Sequence, residues 1–459
     1  MDVKTAFLNS ALQETVYMQI PEGVSIPTKE VKPQYQQPMA CRLLKSIYGL
    51  KQSPRAWYGR IDMFFRSHDF IRSDADHSLF INYDRKVILL LYVDDLLLAA
   101  PTTLQINWIR TKLHAEFEMT DLGDLKTFLG LEINRDSTKR ILHLSQAKYI
   151  ERTLQHHGMQ GCNPTTTPAD PHIRLEKSKP DFQASEKEKK NYQSAVGSLM
   201  YAMLGTRPDI SYAVSKVSQY STNPNPTHWT AVKRIFRYLA GTTNRGLYYG
   251  MQGLGAGFTD ADWGSSEDRK SIGGYTFLLN GSAISWNSKK QSTVALSSTE
   301  AEYIALTQVV KESIWLQALF LDLGARQHID EISNIYIDNQ GAIALARNPE
   351  FHARTKHIDI QYHFVRQHTE NETIQLTYCP SSEMTADIFT KALPQPAFTR
   401  HNLGLGLIDR SVMILQETEL GGEESYEEFD SETEAGSPGE GRCYYSPVLT
   451  GDESYSTIC

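Results

Sequence analysis

The chain has 459 residues, of which 40% are hydrophobic, and a formal net charge of −8. That length predicts two to four domains with ordinary packed cores. The acidic balance argues against a nucleic-acid partner until its placement is read. From Glu417 to the end there are 12 acidic residues and one basic residue, Arg442, leaving 42 acidic against 45 basic in the body. A near-neutral, slightly basic body is compatible with a phosphate-backbone ligand and equally with many neutral enzymes.

The five cysteines form no C-x-x-C pair and no zinc-ligand spacing, so they read as free thiols in a reducing compartment. No secretory signal opens the chain. The longest apolar run, Val87 to Ala100, contains Asp94 and Asp95 and is too short to span a bilayer. The expectation is a soluble intracellular protein, in cytoplasm or nucleus, with no membrane partner.

In chain order, residues 1–145 alternate short apolar runs, Gly and Pro punctuation and helical stretches, an α+β pattern. Residues 161–191 are polar, Pro-rich and Lys/Glu-rich, and read as a connector. Two helices follow over 192–240, with Val196, Leu199, Met200, Met203 and Leu204 on one stripe and Val232, Ile235, Phe236 and Leu239 on the other, separated by Asn223-Pro224-Asn225-Pro226. Strands are expected over Gly246 to Gly250, Gly255 to Phe258, and Gly274 to Trp286, the last broken by a hairpin turn at Asn280-Gly281. A long helix from about Ser298 to Leu323, a short strand from Asn334 to Asp338 and a further helix come next. The Glu/Ser/Gly-rich end reads as disordered.

Two groups of acidic residues stand out. In Leu91-Tyr92-Val93-Asp94-Asp95-Leu96, adjacent carboxylates interrupt an apolar stretch. Buried unpaired charge is costly, so they belong at a hairpin tip, where they could hold Mg²⁺; a plain Asp-Asp turn is the alternative. The second group is scattered. Asp260 ends a strand in Phe258-Thr259-Asp260-Ala261-Asp262, and Glu302 lies in a helix opening, Ser297-Ser298-Thr299-Glu300-Ala301-Glu302. That opening holds two overlapping capping-box patterns. Asp338 ends the strand Ile335-Tyr336-Ile337-Asp338, and Asp387 opens what reads as the last helix. Strand ends and helix starts can bring such carboxylates to one sheet edge, although each alone would pass as a cap or a solvated turn.

Taken with Met1-Asp2-Val3-Lys4-Thr5-Ala6-Phe7 and Ile47-Tyr48-Gly49-Leu50-Lys51-Gln52-Ser53-Pro54, the first group resembles, in order, motifs A, B and C of copia-type retrotransposon reverse transcriptases. The second resembles the Asp-Glu-Asp-Asp set of copia-type RNase H domains. The resemblance implies a mixed multidomain fold. Residues 1–145 would be a reverse-transcriptase palm, an antiparallel sheet with helices. Residues 146–245 would be a helical thumb or connection, 246–400 an RNase H-like mixed sheet with flanking helices, and 401–459 a disordered acidic tail. It also implies that the palm is cut short, lacking its fingers, so that RNase H activity is expected to outlast polymerase activity.

The implied chemistry is RNA-directed DNA synthesis plus cleavage of the RNA strand of RNA–DNA hybrids, with two Mg²⁺ or Mn²⁺ ions per site. Asp2, Asp94 and Asp95 would serve the polymerase, with Phe7, Tyr92, Gly49, Lys51 and Gln52 facing the nucleotide and template. Phe7 would lie under the incoming sugar and disfavour a 2′-hydroxyl. Asp260, Glu302, Asp338 and Asp387 would hold the nuclease metals. Arg354, Lys356 and His357 would touch hybrid phosphates, or form a solvated turn. Asp121-Leu122-Gly123 and Phe128 to Ile133 resemble the segment leading to the primer grip. Implied partners are RNA template, DNA primer, hybrid and dNTPs, with capsid and integrase as neighbours from the same element. The competing expectations are an enzyme with RNase H alone, or a non-catalytic nucleic-acid-binding remnant.

Overall fold

The computed structural model describes residues 1–24, 40–250, 255–347 and 359–409. Arg354, Lys356 and His357 lie outside the described residues, as does the chain from Arg410 on. The protein is a mixed α/β molecule with several sheets. It divides into two compact units, Met1–Leu125 with Ala318–Arg326, and Lys126–Gln317 with the residues from Gln327 on.

The first unit is built on a six-stranded sheet. Its spatial order is Ile71–Arg72, Leu79–Asn82, Val87–Tyr92, Asp95–Ala99, Asp2–Val3 and Met119–Thr120, antiparallel throughout. The helix Ser53–Arg66 starts with Pro54 in its first turn, where the missing N–H costs nothing. Its residues Trp57, Ile61, Phe64 and Phe65 recur at helical spacing, are buried, and join Val3, Leu89, Leu96, Ile109 and Leu113 in one core.

Tyr92 pairs with Asp95, so Val93 and Asp94 form a two-residue hairpin loop. Val93 takes φ 57°, a left-handed conformation that a β-branched side chain adopts only under constraint. Part of the constraint is visible: the buried Trp57 indole Nε1 donates to the Val93 carbonyl at 2.6 Å. A core side chain therefore fixes the turn that carries Asp94 and Asp95.

In the second unit a five-stranded mixed sheet runs Ser282–Lys290, Ile272–Leu279, Ala256–Asp262, Asn334–Ile337, Gln375–Tyr378. The first three strands are antiparallel, while Asn334–Ile337 runs parallel to both its neighbours. The expected turn is present, with Asn280 at φ 51° and Gly281 at φ 80°, a pair of left-handed residues that suits a two-residue hairpin. The long helix spans Ser298–Asp322 and buries Ala301, Ile304, Ala305, Val309 and Val310. Among the described residues it is the one helix long and apolar enough to cross a membrane, and it is partly buried; its residues up to Gln317 belong to this unit. Gly274, paired with Asp260, leaves room that a side chain would take: a Cβ there would fall 2.5 Å from the Cβ of Phe389. The short 3-10 helix Thr385–Phe389 can thus lie against the sheet beside Asp260.

A second five-stranded sheet has the order Leu407–Asp409, Arg245–Tyr249, Ile141–Ser145, Leu131–Asp136, Thr127–Phe128. The strand expected from Gly246 to Gly250 is found here, at Arg245–Tyr249. The segment 192–240 differs from expectation, with three helices rather than two: Glu186–Gly205, Ser211–Ser218 and Pro226–Ala240. The extra break falls at Arg207-Pro208, where proline removes a helical donor.

Arg207 is fully buried there. Its Nε and Nη2 donate to the two carboxylate oxygens of Asp209 at 3.0 and 2.8 Å, and its Nη1 donates to the Thr242 carbonyl at 2.9 Å. Tyr238 donates to Asp209 at 2.5 Å, and Asn402 donates to Tyr238 at 3.3 Å. Replacing Arg207 by Met strands a buried carboxylate, and chemical denaturation should then show a loss of about 3–5 kcal/mol in stability. Trp57→Phe leaves the Val93 carbonyl without its donor. The same measurement should register a loss of about 1–3 kcal/mol.

Candidate functional site

The first cluster is assembled by strand pairing. Asp2 lies directly opposite Asp95, and the Val3 amide donates to the Asp94 carbonyl at 2.8 Å. Residues opposite one another in an antiparallel pair present side chains on one face about 5 Å apart. Burial, then the neighbouring charges of Asp94 and Asp2, hold the Asp95 carboxyl above its usual range. Among the described residues, however, the oxygens of these three carboxylates do not all gather within 4.8 Å of one another. The backbone brings the acids together, but their oxygens are not drawn into a tight set.

The other residues expected at this site take mixed positions. Phe7 is buried and packs on the ring of Tyr48 with centroids 4.5 Å apart. Burial and the charge of Asp94 push the Tyr48 hydroxyl up. Gly49 takes φ +96°, which a side chain would strain. Tyr92 is exposed at the hairpin end, Lys51 is exposed and Gln52 half-buried.

The second cluster is tighter. Asp260 and Asp338 come from neighbouring parallel strands, level with each other because Thr259 is in register with Ile337. Glu302 enters from the first turns of the long helix. Ligand oxygens of Asp260, Glu302 and Asp338 all lie within 4.8 Å of one another. Asp260 and Glu302 are 2% and 5% exposed. Capping falls to Glu300, which accepts from the Leu296 amide at 2.8 Å while its own amide donates to Ser297 at 3.2 Å. Glu302 is left for the cluster, and its buried Oε2 has no hydrogen-bond partner. Burial, then the charges of Asp260 and Asp338, push the Glu302 carboxyl well above its usual range. Asp338 is also raised, by burial first, against the pull of the Ser381 hydroxyl that donates to it at 2.6 Å.

Asp387 stands on the 3-10 helix Thr385–Phe389, not at the opening of an α-helix; the last α-helix among the described residues is Gln395–Gly404. The local chain turns too tightly and stops at Thr390, before Leu393-Pro394. Asp387 is drawn to the cluster but lies outside the tight trio. It pairs with Lys391, whose Nζ lies 2.9 Å from its Oδ1 and 3.8 Å from Asp260 Oδ2. Burial and the charge of Asp260 raise the Asp387 carboxyl to about 7; Lys391 pulls it back, but by less. Thr390 donates its hydroxyl to Asp260 Oδ2. Thr390 and Lys391 were not foreseen from sequence, although Lys391 sits four residues after Asp387, a spacing that brings ion pairs together on a helical turn.

Three hard oxygen donors, two buried and one half-buried, mutually repelling and one of them unpartnered, fit a divalent cation. An apolar replacement or a network of donors would otherwise be needed to offset their burial.

A family model described as reverse transcriptase (RNA-dependent DNA polymerase) matches residues 1–171. The chain is 44% identical over 406 residues to a retrovirus-related Pol polyprotein from transposon TNT 1-94 of Nicotiana tabacum, covering 87% of this chain and 30% of that one. It is 38% identical to the corresponding polyprotein from transposon RE2 of Arabidopsis thaliana, over 89% of this chain and 27% of that one. A putative transposon Ty5-1 protein of Saccharomyces cerevisiae is 36% identical over 321 residues, 68% of this chain and 100% of its own length. The chain thus spans about 30% of the length of the plant polyproteins it matches. By these matches the chain belongs to the copia-type retrotransposon reverse transcriptase polyprotein family.

Proposed function

We propose that this chain carries two metal-dependent phosphoryl-transfer centres, one copying retrotransposon RNA into DNA and one cleaving the RNA strand of the resulting hybrid. In the terms of the family, residues 1–145 act as the palm, 146–245 as the connection and 246–400 as the RNase H-like region. The observation that carries the nuclease reading is the convergence of Asp260, Glu302 and Asp338 within 4.8 Å. The observation that supports the polymerase reading is the register of Asp2 against Asp95 at a hairpin whose strained turn is held from the core.

At the nuclease centre Asp260, Glu302 and Asp338 would be the ligands, with Asp387 beside them and joined to Asp260 through Lys391. Bound divalent ions supply polarisation of the scissile phosphate and a water acidified for attack. The protein's part is to keep the carboxylates converged before the ions arrive. Ser381 orients Asp338, and Thr390 orients Asp260. Attack of water on the phosphorus forms one P–O bond and breaks the bond to the 3′ oxygen of the upstream nucleotide, leaving a 3′-hydroxyl and a 5′-phosphate.

At the polymerase centre Asp2, Asp94 and Asp95 would hold the ions that serve the primer 3′-hydroxyl and the leaving pyrophosphate. Phe7, packed on Tyr48, would form the floor under the incoming sugar. The template and nucleotide would pass Gly49, Lys51, Gln52 and Tyr92. RNA template, DNA primer, hybrid and dNTPs are the corresponding partners.

The test uses one purified protein and two assays with Mg²⁺ or Mn²⁺. Asp338→Asn and Glu302→Gln should abolish cleavage of a labelled RNA–DNA hybrid and spare primer extension, while Asp94→Asn should do the reverse. Wild-type protein that is folded by circular dichroism yet cleaves no hybrid would sink the nuclease reading.

The raised carboxyl of Asp387 gives a second expectation. Its value in the fold, about 7, exceeds its ordinary value of 3.8. The metal-free protein therefore binds more protons folded than unfolded in that window, and this group's contribution to stability is lost as pH rises through it. Divalent ions compete with those protons. Differential scanning calorimetry should show that Mn²⁺ raises the melting temperature more at pH 8 than at pH 6.

A further inference from the structure

Four carboxylates meet at the nuclease centre, and one cation is already among them. The Lys391 Nζ stands between Asp387 Oδ1 at 2.9 Å and Asp260 Oδ2 at 3.8 Å. Asp260 and Asp387 side chains are 3% and 11% exposed, so this ammonium lies against nearly buried charge. Its position follows from the backbone. The amides of Thr390 and Lys391 both donate to the Asp387 carbonyl at 3.2 Å, which closes the turn and brings Asp387, Thr390 and Lys391 onto the side facing Asp260.

The site is therefore lopsided. On one side Asp260, Glu302 and Asp338 converge with an orphaned carboxylate oxygen, and among the described residues neither Glu302 nor Asp338 makes an ion pair. On the other side Asp260 and Asp387 share Lys391. Their common residue is Asp260, which would have to bridge two ions if both were held by protein. Formal charge points the same way. Four ionised carboxylates alone carry −4, which two divalent ions would neutralise. With Lys391 the sum is −3, which a single divalent ion brings to −1.

We propose that Lys391 is the resident cation of this centre, standing where a second divalent ion would bridge Asp260 and Asp387, so that in the absence of nucleic acid the protein holds one ion there. This rests on the metal-centre reading given above. A second ion would enter only with the scissile phosphate, whose oxygens add ligands and draw the Lys391 ammonium off the carboxylates.

The test counts Mn²⁺ bound to the full chain without nucleic acid, by electron paramagnetic resonance at saturating metal. The difference between wild type and Asp260→Asn isolates this centre from the polymerase site. A difference of one ion is expected, and a difference of two overturns Lys391's role while leaving the metal centre intact. A difference of none sinks the metal-centre reading itself, and this proposal with it. Lys391→Ala should then exceed Asp260→Asn by two ions, and Lys391→Arg by one, because Arg keeps the charge. Lys391→Ala remaining at one would also reject the proposal. The wild-type count decides even if Lys391→Ala fails to fold.

Discussion

Electrostatic repulsion between carboxylates taken out of water is the constraint around which this protein is organised. Moving one such group into a protein interior is expensive unless a partner compensates it. Here four are gathered at one place in the second unit and three more along one strand pair in the first. Each cluster is held by elements that would not come together for the carboxylates' own sake. Glu302 rides on a helix whose apolar residues bury against protein, and Asp260 on a strand whose neighbours are fixed by hydrogen-bonded ladders. The hydrophobic core thus does work against the charges, and the raised carboxyls of Glu302, Asp338 and Asp387 register that opposition.

The two clusters resolve this conflict differently. In the first, Asp94 and Asp95 sit at a hairpin end, half in solvent, and water takes part of the cost. The strain is transferred to the backbone instead, at Val93, and is held there by the Trp57 indole. In the second, Asp260, Glu302 and Asp387 are buried and Asp338 half-buried, and compensation is chemical: hydroxyl donors from Ser381 and Thr390, and the ammonium of Lys391. A half-solvated hairpin end leaves room for a large ligand, whereas a trio with two of its three acids buried favours a small ion.

Much of this was legible from residues alone because it depends on local chemistry. Asn280-Gly281 specifies its turn through two left-handed residues, and the long helix from Ser298 is written in its apolar spacing and Ser297–Glu300 cap. The acids Asp260, Glu302 and Asp338 could be picked out because strand ends and helix starts are the natural places for converging charge. What could not be read depends on tertiary placement. The break at Pro208 is a local signal, but the burial of Arg207 beside it, seated between Asp209 and Thr242, is not. The short 3-10 helix around Asp387 reads as a helix opening until Gly274 is seen to admit Phe389. Trp57, an ordinary core residue by pattern, proves to touch the hairpin apex only through a carbonyl thirty-six positions away.

The sheet that joins Thr127–Phe128 to Leu407–Asp409 carries a consequence for how the molecule can be divided. Arg245–Tyr249 is bordered on one side by Ile141–Ser145 and on the other by Leu407–Asp409. A cut that released everything beyond residue 400 would bare a row of backbone donors and acceptors along Arg245–Tyr249, a ready template for unwanted strand addition. Proteolytic trimming of such a polypeptide therefore has to respect a seam stitched from segments more than 250 residues apart in sequence, and ribosomal synthesis has to reach the last stitch before that seam can close.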